Sequence, residues 1–389
     1  LKHAVFLAWR NLNAGRLRSA ILVSCLTVAV SLPIVLHVVV GRFQKQLTQR
    51  AAATPLIVGA TGSRFDLTLH ALYFEADAPS EISMREVETI RSSRHVRPIP
   101  IFAKFRAEGF RIVGTTTEYF ELRRLKIARG KNLTRIGDCV LGAAVAASLG
   151  RGPGDRMTSE PENVFDSTGS YPLRMRVNGI LAETNSPDDS AVFVSLETAW
   201  IIAGRGHGHR NPGNEAHEPA DGEQEGSFIP VEPFTEVTDE NVGSFHFHGK
   251  REDLPITAII VDAPDERSET LLIGRYLARD DVAILEPPRI IEQLMQLVFR
   301  VERLLDVGAV VLLSTTATLV LLVFALSLRL RQSEIQTLFK LGCSRFMIAK
   351  ILLAELFLIA LVSAILTAGV TTIAVQIGPA LLEGILTRA

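Results

Sequence analysis

Cysteine is nearly missing. Three occur in 389 residues, which excludes a disulfide scaffold and a tetracysteine zinc site. An excess of one charge is missing too. Lys and Arg together number 41 and Asp and Glu 42, so no overall basic field points to nucleic acid as a partner. Enzyme signatures are also lacking. The sequence has no G-x-x-x-x-G-K-[ST] phosphate loop, no H-E-x-x-H and no G-x-S-x-G. The Gly-rich run at 150–155, GRGPGD, lacks the Lys-Ser/Thr ending and reads as a turn. We therefore expect a chain that is not itself an enzyme and binds no ATP through a P-loop.

Apolar residues are plentiful, at 47% of the chain, and they are concentrated. Three runs reach the roughly 20 residues that a membrane-crossing helix needs: 20–40, 304–328 and 351–375. The first has no Asp, Glu, Lys or Arg, the second only Asp306 and the third only Glu355. The first run is too long for a signal-peptide core and is followed by no A-x-A pattern. Lys2, Arg10, Arg16 and Arg18 precede it, and Arg329, Arg331, Lys340, Arg345 and Lys350 lie between or border the other two. Basic loops stay in the cytoplasm. This predicts residues 1–19 and 329–350 inside, with 41–303 and the tail 376–389 on the far side.

Within 1–19, Val5, Phe6, Trp9 and Leu12 recur at helical spacing, which predicts an amphipathic helix lying on the membrane surface. In 329–350, Gln332 to Phe339 suits a short helix, Gly342 its left-handed C-terminus and Ser344 the cap of the next helix. Residues 44–50 read as an exposed helical stalk. The far-side segment reads as α+β, with strands over 53–59, 99–105, 111–114, 174–181, 191–195 and 256–261. Helices are expected over 81–92, 139–148, 269–278 and 292–303. The fold class expected is thus a membrane protein, three transmembrane helices plus a large α+β extracytoplasmic domain.

Several segments resemble the FtsX/MacB-type ABC transporter permeases, the type VII mechanotransmission family. The pattern R-x-x-E-I-x-x-L-x-x-L-G-x-S-R is carried here by Arg331, Glu334, Ile335, Leu338, Leu341, Gly342, Ser344 and Arg345, and LLAEL with Glu355 follows. AWRNLNAGRLRSA before the first run also matches. Residues 114–134, 139–157 and 176–199 resemble the MacB periplasmic core domain. The resemblance implies a multi-pass protein of the bacterial inner membrane, surrounded by lipid, with a periplasmic domain of that core type. It implies a homodimer of permeases paired with a separate MacB/LolD-like ATPase, whose ATP hydrolysis drives movement in the periplasm. It also implies that Arg331, Glu334, Leu338, Leu341, Gly342, Ser344 and Arg345 couple to that ATPase. Family members carry four spans where three are read here, so the fourth is either absent or outside this sequence. Export or extraction of peptides, small molecules or lipoproteins, and allosteric control of a cell-wall hydrolase, are the roles the resemblance leaves open.

One segment is foreign to that pattern. Residues 210–240 hold nine acids and one base, Arg210. Five of the nine histidines, His207, His209, His217, His246 and His248, fall between 207 and 248. On a strand, residues i and i+2 share a face, so FHFHG sets His246 and His248 side by side with Phe245 and Phe247 toward the core. GHGHR reads as a flexible capture loop. Neutral imidazoles so placed suit Zn²⁺, with a third ligand from His207, His209, His217, Glu215 or Asp239. A solvated linker is the alternative. A periplasmic accessory or metal-binding protein would be the partner of such a site. His3, His37, His70 and His95 are isolated and read as structural.

Overall fold

The computed structural model describes the chain except residues 1, 76–78, 94–95, 162–171, 209–234, 239–240, 331, 333–335, 338–339, 341–344 and 387–389. The coupling residues Arg331, Glu334, Leu338, Leu341, Gly342 and Ser344, and His95, His209, His217, Glu215 and Asp239, lie outside the described residues.

The chain opens with α1 (Lys2–Ala14) and α2 (Arg16–Ala52). Next come β1 (Leu56–Ala60), α3 (Arg64–Tyr73), β2 (Ile82–Ser83), α4 (Arg85–Arg91) and β3 (Arg97–Ile101). Then follow β4 (Arg106–Ala107), β5 (Phe110–Thr115), α5 (Thr117–Leu122), β6 (Ile127–Gly130), β7 (Asp138–Leu141) and α6 (Ala143–Leu149). The middle continues with β8 (Arg156–Thr158), β9 (Leu173–Leu181), β10 (Ala191–Ser195), α7 (Leu196–Ile202), β11 (Gly206–His207) and β12 (Thr235–Glu236). It closes with β13 (His246–Phe247), β14 (Pro255–Ile256), β15 (Ala258–Asp262), α8 (Glu266–Tyr276) and β16 (Val282–Leu285). Two long helices end the chain, α9 (Pro287–Leu330) and α10 (Arg345–Leu386).

The chain divides into two compact units, one of residues 1–45 and 295–389, the other Gln46–Leu294. The first is helical. Three of its helices are long and apolar enough to cross a membrane, over Ser19–Ala52, Pro287–Leu326 and Phe346–Ala374. Large apolar side chains such as Leu32, Leu322 and Phe357 point outward, as suits lipid. The buried positions include many polar side chains, Thr27 and Ser31 on α2, Thr316 on α9, and Glu355, Ser363 and Thr367 on α10, beside apolar Leu22 and Ile359. Ser363 Oγ donates to the Val23 carbonyl at 3.3 Å. Polar contacts of this kind are among those that pack helices in lipid, where no hydrophobic drive acts between them. His37 pairs with Glu302 at 2.8 Å.

Helix α1 forms where amphipathic spacing predicted one, but it turns buried Ala8 inward and leaves Phe6 and Trp9 exposed. The last helix does not stop at 375, where the apolar run ends, but continues through Gly378-Pro379 to Leu386.

The second unit is the expected α+β domain. Its two main sheets share one apolar core. One has the order β16-β1-β15-β3, antiparallel throughout. β1 can sit inside it because LIVG is buried residue after residue. The larger sheet has the order β12-β9-β7-β10-β5-β4, with β6 and β8 also on β9. β10 is central, parallel to β5 and antiparallel to β7. Residues 138–141, read as the start of an Ala-rich helix, form strand β7 instead, and the helix starts only at Ala143. Four buried residues bounded by Gly142 satisfy a central strand before any helical turn can start.

His70 lies at the heart of this unit, fully buried. Thr257 Oγ1 donates to the Ile101 carbonyl at 3.0 Å, so the 2.9 Å contact from His70 Nε2 must be a donation from the ring. That fixes the neutral tautomer with its proton on Nε2. Burial, aided by the charge of Arg111, pushes the imidazole down to about 4.

Candidate metal centre

Two short strands build the site. β11 and β13 pair antiparallel, with Gly206 opposite Phe247 and His207 opposite His246. Directly opposed residues share a face, as do i and i+2 on one strand. His207, His246 and His248 therefore project together and Phe247 projects the other way. The His248 N–H donates to the Arg205 carbonyl at 2.9 Å and extends the pairing.

The flanking glycines have a spatial purpose. A Cβ at Gly206 would lie 2.7 Å from the Phe247 ring, and one at Gly208 2.6 Å from the Phe245 ring. GHG is thus not a flexible capture loop: its first two residues are a strand over which aromatic rings cross. Phe247 meets buried Trp200 edge to face at 5.9 Å. The Trp200 indole N–H donates to the Pro255 carbonyl at 2.7 Å, and the Arg251 guanidinium lies 5.8 Å from its ring. The two histidine-bearing strands are thereby fastened to the core through α7.

On the outer face the three rings converge. His207 lies 4.5 Å from His246 and 4.7 Å from His248, centre to centre. One ring nitrogen from each lies within 4.8 Å of the other two, and all three residues are exposed. His248 Nε2 and His207 Nδ1 are 2.9 Å apart, which one N–H···N hydrogen bond explains. Nitrogens sharing a tetrahedral ion at 2.0–2.1 Å are roughly 3.3 Å apart, so shifts of about an ångström bring the set to ligand spacing. Three imidazoles suit zinc and its late transition-metal neighbours rather than calcium or magnesium. Among the described residues no fourth His, Cys, Asp or Glu joins the cluster.

Of the five histidines singled out from sequence, the structure brings together His207, His246 and His248; His209 and His217 lie outside the described residues. Of the coupling residues only Arg345 is described, as the first residue of α10.

A second constellation has no signal in the sequence. Arg50, at the end of the expected exposed stalk, is buried and paired with buried Asp188 at 2.7 Å. Tyr119 OH donates to the same carboxylate at 2.6 Å. Burial pushes the Asp188 carboxyl up, but the Arg50 charge and hydrogen bonds outweigh it and hold the group below the usual carboxylate range.

Residues 19–216 match the family model of the MacB-like periplasmic core domain. Among solved structures, the periplasmic region of MacB from Actinobacillus actinomycetemcomitans aligns at 12% identity and a TM-score of 0.35, covering 62% of this chain and 92% of that one. The extracellular domain of the noncanonic ABC-type transporter YknZ from Gram-positive bacteria aligns at 10% identity and a TM-score of 0.33, covering 59% and 98%. No curated protein matches in sequence.

Proposed function

The chain belongs to the FtsX/MacB-like family of ABC transporter permeases, whose MacB-like periplasmic core domain matches just over half of it, and from that membership we propose a transmembrane subunit that handles a divalent metal, zinc foremost, in the periplasm. Its ATP would be hydrolysed by a separate ATPase subunit, with two copies of each in the assembly. The three helices of spanning length and the basic residues around 329–350 support an inner-membrane protein with that loop in the cytoplasm. The loop's Arg331, Glu334, Leu338, Leu341, Gly342, Ser344 and Arg345 are the proposed ATPase contacts. Gly342→Pro is expected to abolish stimulation of the partner ATPase by the reconstituted permease while leaving membrane insertion unchanged. ATPase stimulation at the wild-type level would remove the coupling role.

One observation carries the metal part of the reading: three exposed imidazoles converge on one point, on strands anchored to the core. Structural zinc sites are closed by four ligands, whereas a three-ligand exposed set suits capture and release. Bound metal would act as a Lewis acid with an exchangeable position. Co²⁺ titrated into the purified full-length chain should give the visible absorption of a nitrogen-rich tetrahedral site. His248→Ala should weaken binding at least tenfold, His37→Ala should leave it unchanged, and acidification should weaken it because protons compete for neutral imidazole. No absorption from the wild type would return the protein to the export, extraction or regulatory roles of its family.

A further inference from the structure

Helix α2 does not end as a solvated stalk. It runs unbroken from Arg16 to Ala52, and its last two turns bury Leu47, Arg50 and Ala51. Around Arg50 three separate segments converge. The guanidinium takes the Asp188 carboxylate in a two-pronged grip, Nη1 to Oδ2 at 2.7 Å and Nη2 to Oδ1 at 3.0 Å. Nη2 also reaches Tyr119 OH at 2.9 Å on α5, and Nε donates to the Leu72 carbonyl near the end of α3. The helix is braced on either side of this point. Tyr73 OH donates to the Leu47 carbonyl at 2.8 Å. Thr54 Oγ1 donates to the Arg50 carbonyl at 3.1 Å and accepts from Arg123 Nη2 at 2.8 Å.

The acceptor side is equally immobile. Asp188 sits in the Pro187–Ser190 turn, whose capping box is set by Ser186 and Asp189. The turn presses on Gly142 so closely that a Cβ there would lie 2.2 Å from the Asp189 carbonyl oxygen. It leads directly into β10, the strand held on both edges by β5 and β7.

Apolar side chains would bury this helix end as well, since a buried ion pair rarely beats a well-packed apolar replacement in stability. The planar fork supplies direction. Its donors point at three fixed acceptors, and successive residues of a helix are about 100° apart, so a small rotation or slip of α2 breaks several bonds together. We propose that Arg50, Asp188 and Tyr119 form a torsional lock: α2 cannot turn about its axis without moving the Pro187–Ser190 turn and β10 with it. This rests on the permease reading, in which movement of a spanning helix must reach the outer sheet.

The test uses the full-length chain in lipid nanodiscs, with Cys25→Ser and Cys343→Ser and without ATPase or metal. Spin labels at Thr48→Cys and Glu183→Cys report the helix end against the turn. A control pair at Lys131→Cys and Glu160→Cys reports the sheet. Wild type should give a narrow 48–183 distance distribution. Arg50→Lys and Tyr119→Phe should at least double its width and leave the control pair unchanged. The apolar pair Arg50→Met/Asp188→Leu should melt like wild type yet keep the broad distribution. A narrow distribution in that apolar pair, or a broad one in wild type, overturns the lock. Neither outcome touches the permease reading, which the ATPase assay decides.

Discussion

Asp188→Ala is expected to lower the stability of the α+β unit by about 3–5 kcal/mol, the cost of leaving a buried charge without its partner. Arg50 would keep its charge among the rings of Tyr73 and Phe74, which lie 5.9 and 5.8 Å away, and among the described residues no other carboxylate pairs with it. Asp253→Ala is the contrast. Its ion pair with Arg85 is as short, 2.6 Å, but the two side chains are 64% and 53% exposed. Water already solvates both ends, so the expected loss is about 0–1 kcal/mol. Replacing Arg50 and Asp188 together by Met and Leu should recover most of the loss, because the desolvation cost leaves with the charges. Urea unfolding followed through Trp200 in a Trp9→Phe background measures all three. Equal effects of the Asp188 and Asp253 changes would mean that the buried pair carries no special weight.

The second large effect is one of pH. An unfolded chain binds a proton at His70 near the ordinary 6.5, whereas the folded protein binds it only near 4. Between these values the unfolded state holds more protons, and stability must fall as pH falls. The contribution is complete above about 6.5 and gone below about 4, and its full size is about 3 kcal/mol. The His70 Nδ1 atom has no hydrogen-bond partner, so a proton placed there would be a buried, unpaired charge repelled by Arg111. His70→Leu should therefore flatten the pH dependence between 6.5 and 4 relative to wild type. Parallel profiles for the two proteins would assign that dependence to other groups.

The contrast between these two sites and the histidine cluster shows what could be read in the residues. FHFHG was legible because the rule it uses is local: alternate residues on a strand share a face. The third histidine was legible only as one of five candidates, since His207 joins through antiparallel pairing with His246, a register that neither H-x-H shows by itself. The glycines around His207 suggested flexibility, whereas Gly206 and Gly208 make room for Phe247 and Phe245. Buried strands such as β1 and β10 were recognisable from unbroken apolar runs. The Arg50 pair was invisible because its partner is 138 residues away and a lone arginine near the end of a polar stretch looks solvated. The continuation of α10 past Pro379 was missed for another reason: proline weakens a helix but does not always end one.

β1 has a consequence for the order of synthesis. It is an early strand, Leu56–Ala60, yet both of its partners are late, β15 at Ala258–Asp262 and β16 at Val282–Leu285. No local hairpin can satisfy it while the chain is being made. At the usual elongation rate of about 5–20 residues per second, the strand waits roughly 10–45 s for its neighbours. During that interval four consecutive apolar residues with unpaired backbone follow directly on the first apolar helix. Such an edge is a template for pairing with another chain. Nascent copies of this protein therefore need to be kept apart, by a chaperone or by sparse synthesis, until the last strand of the sheet has emerged.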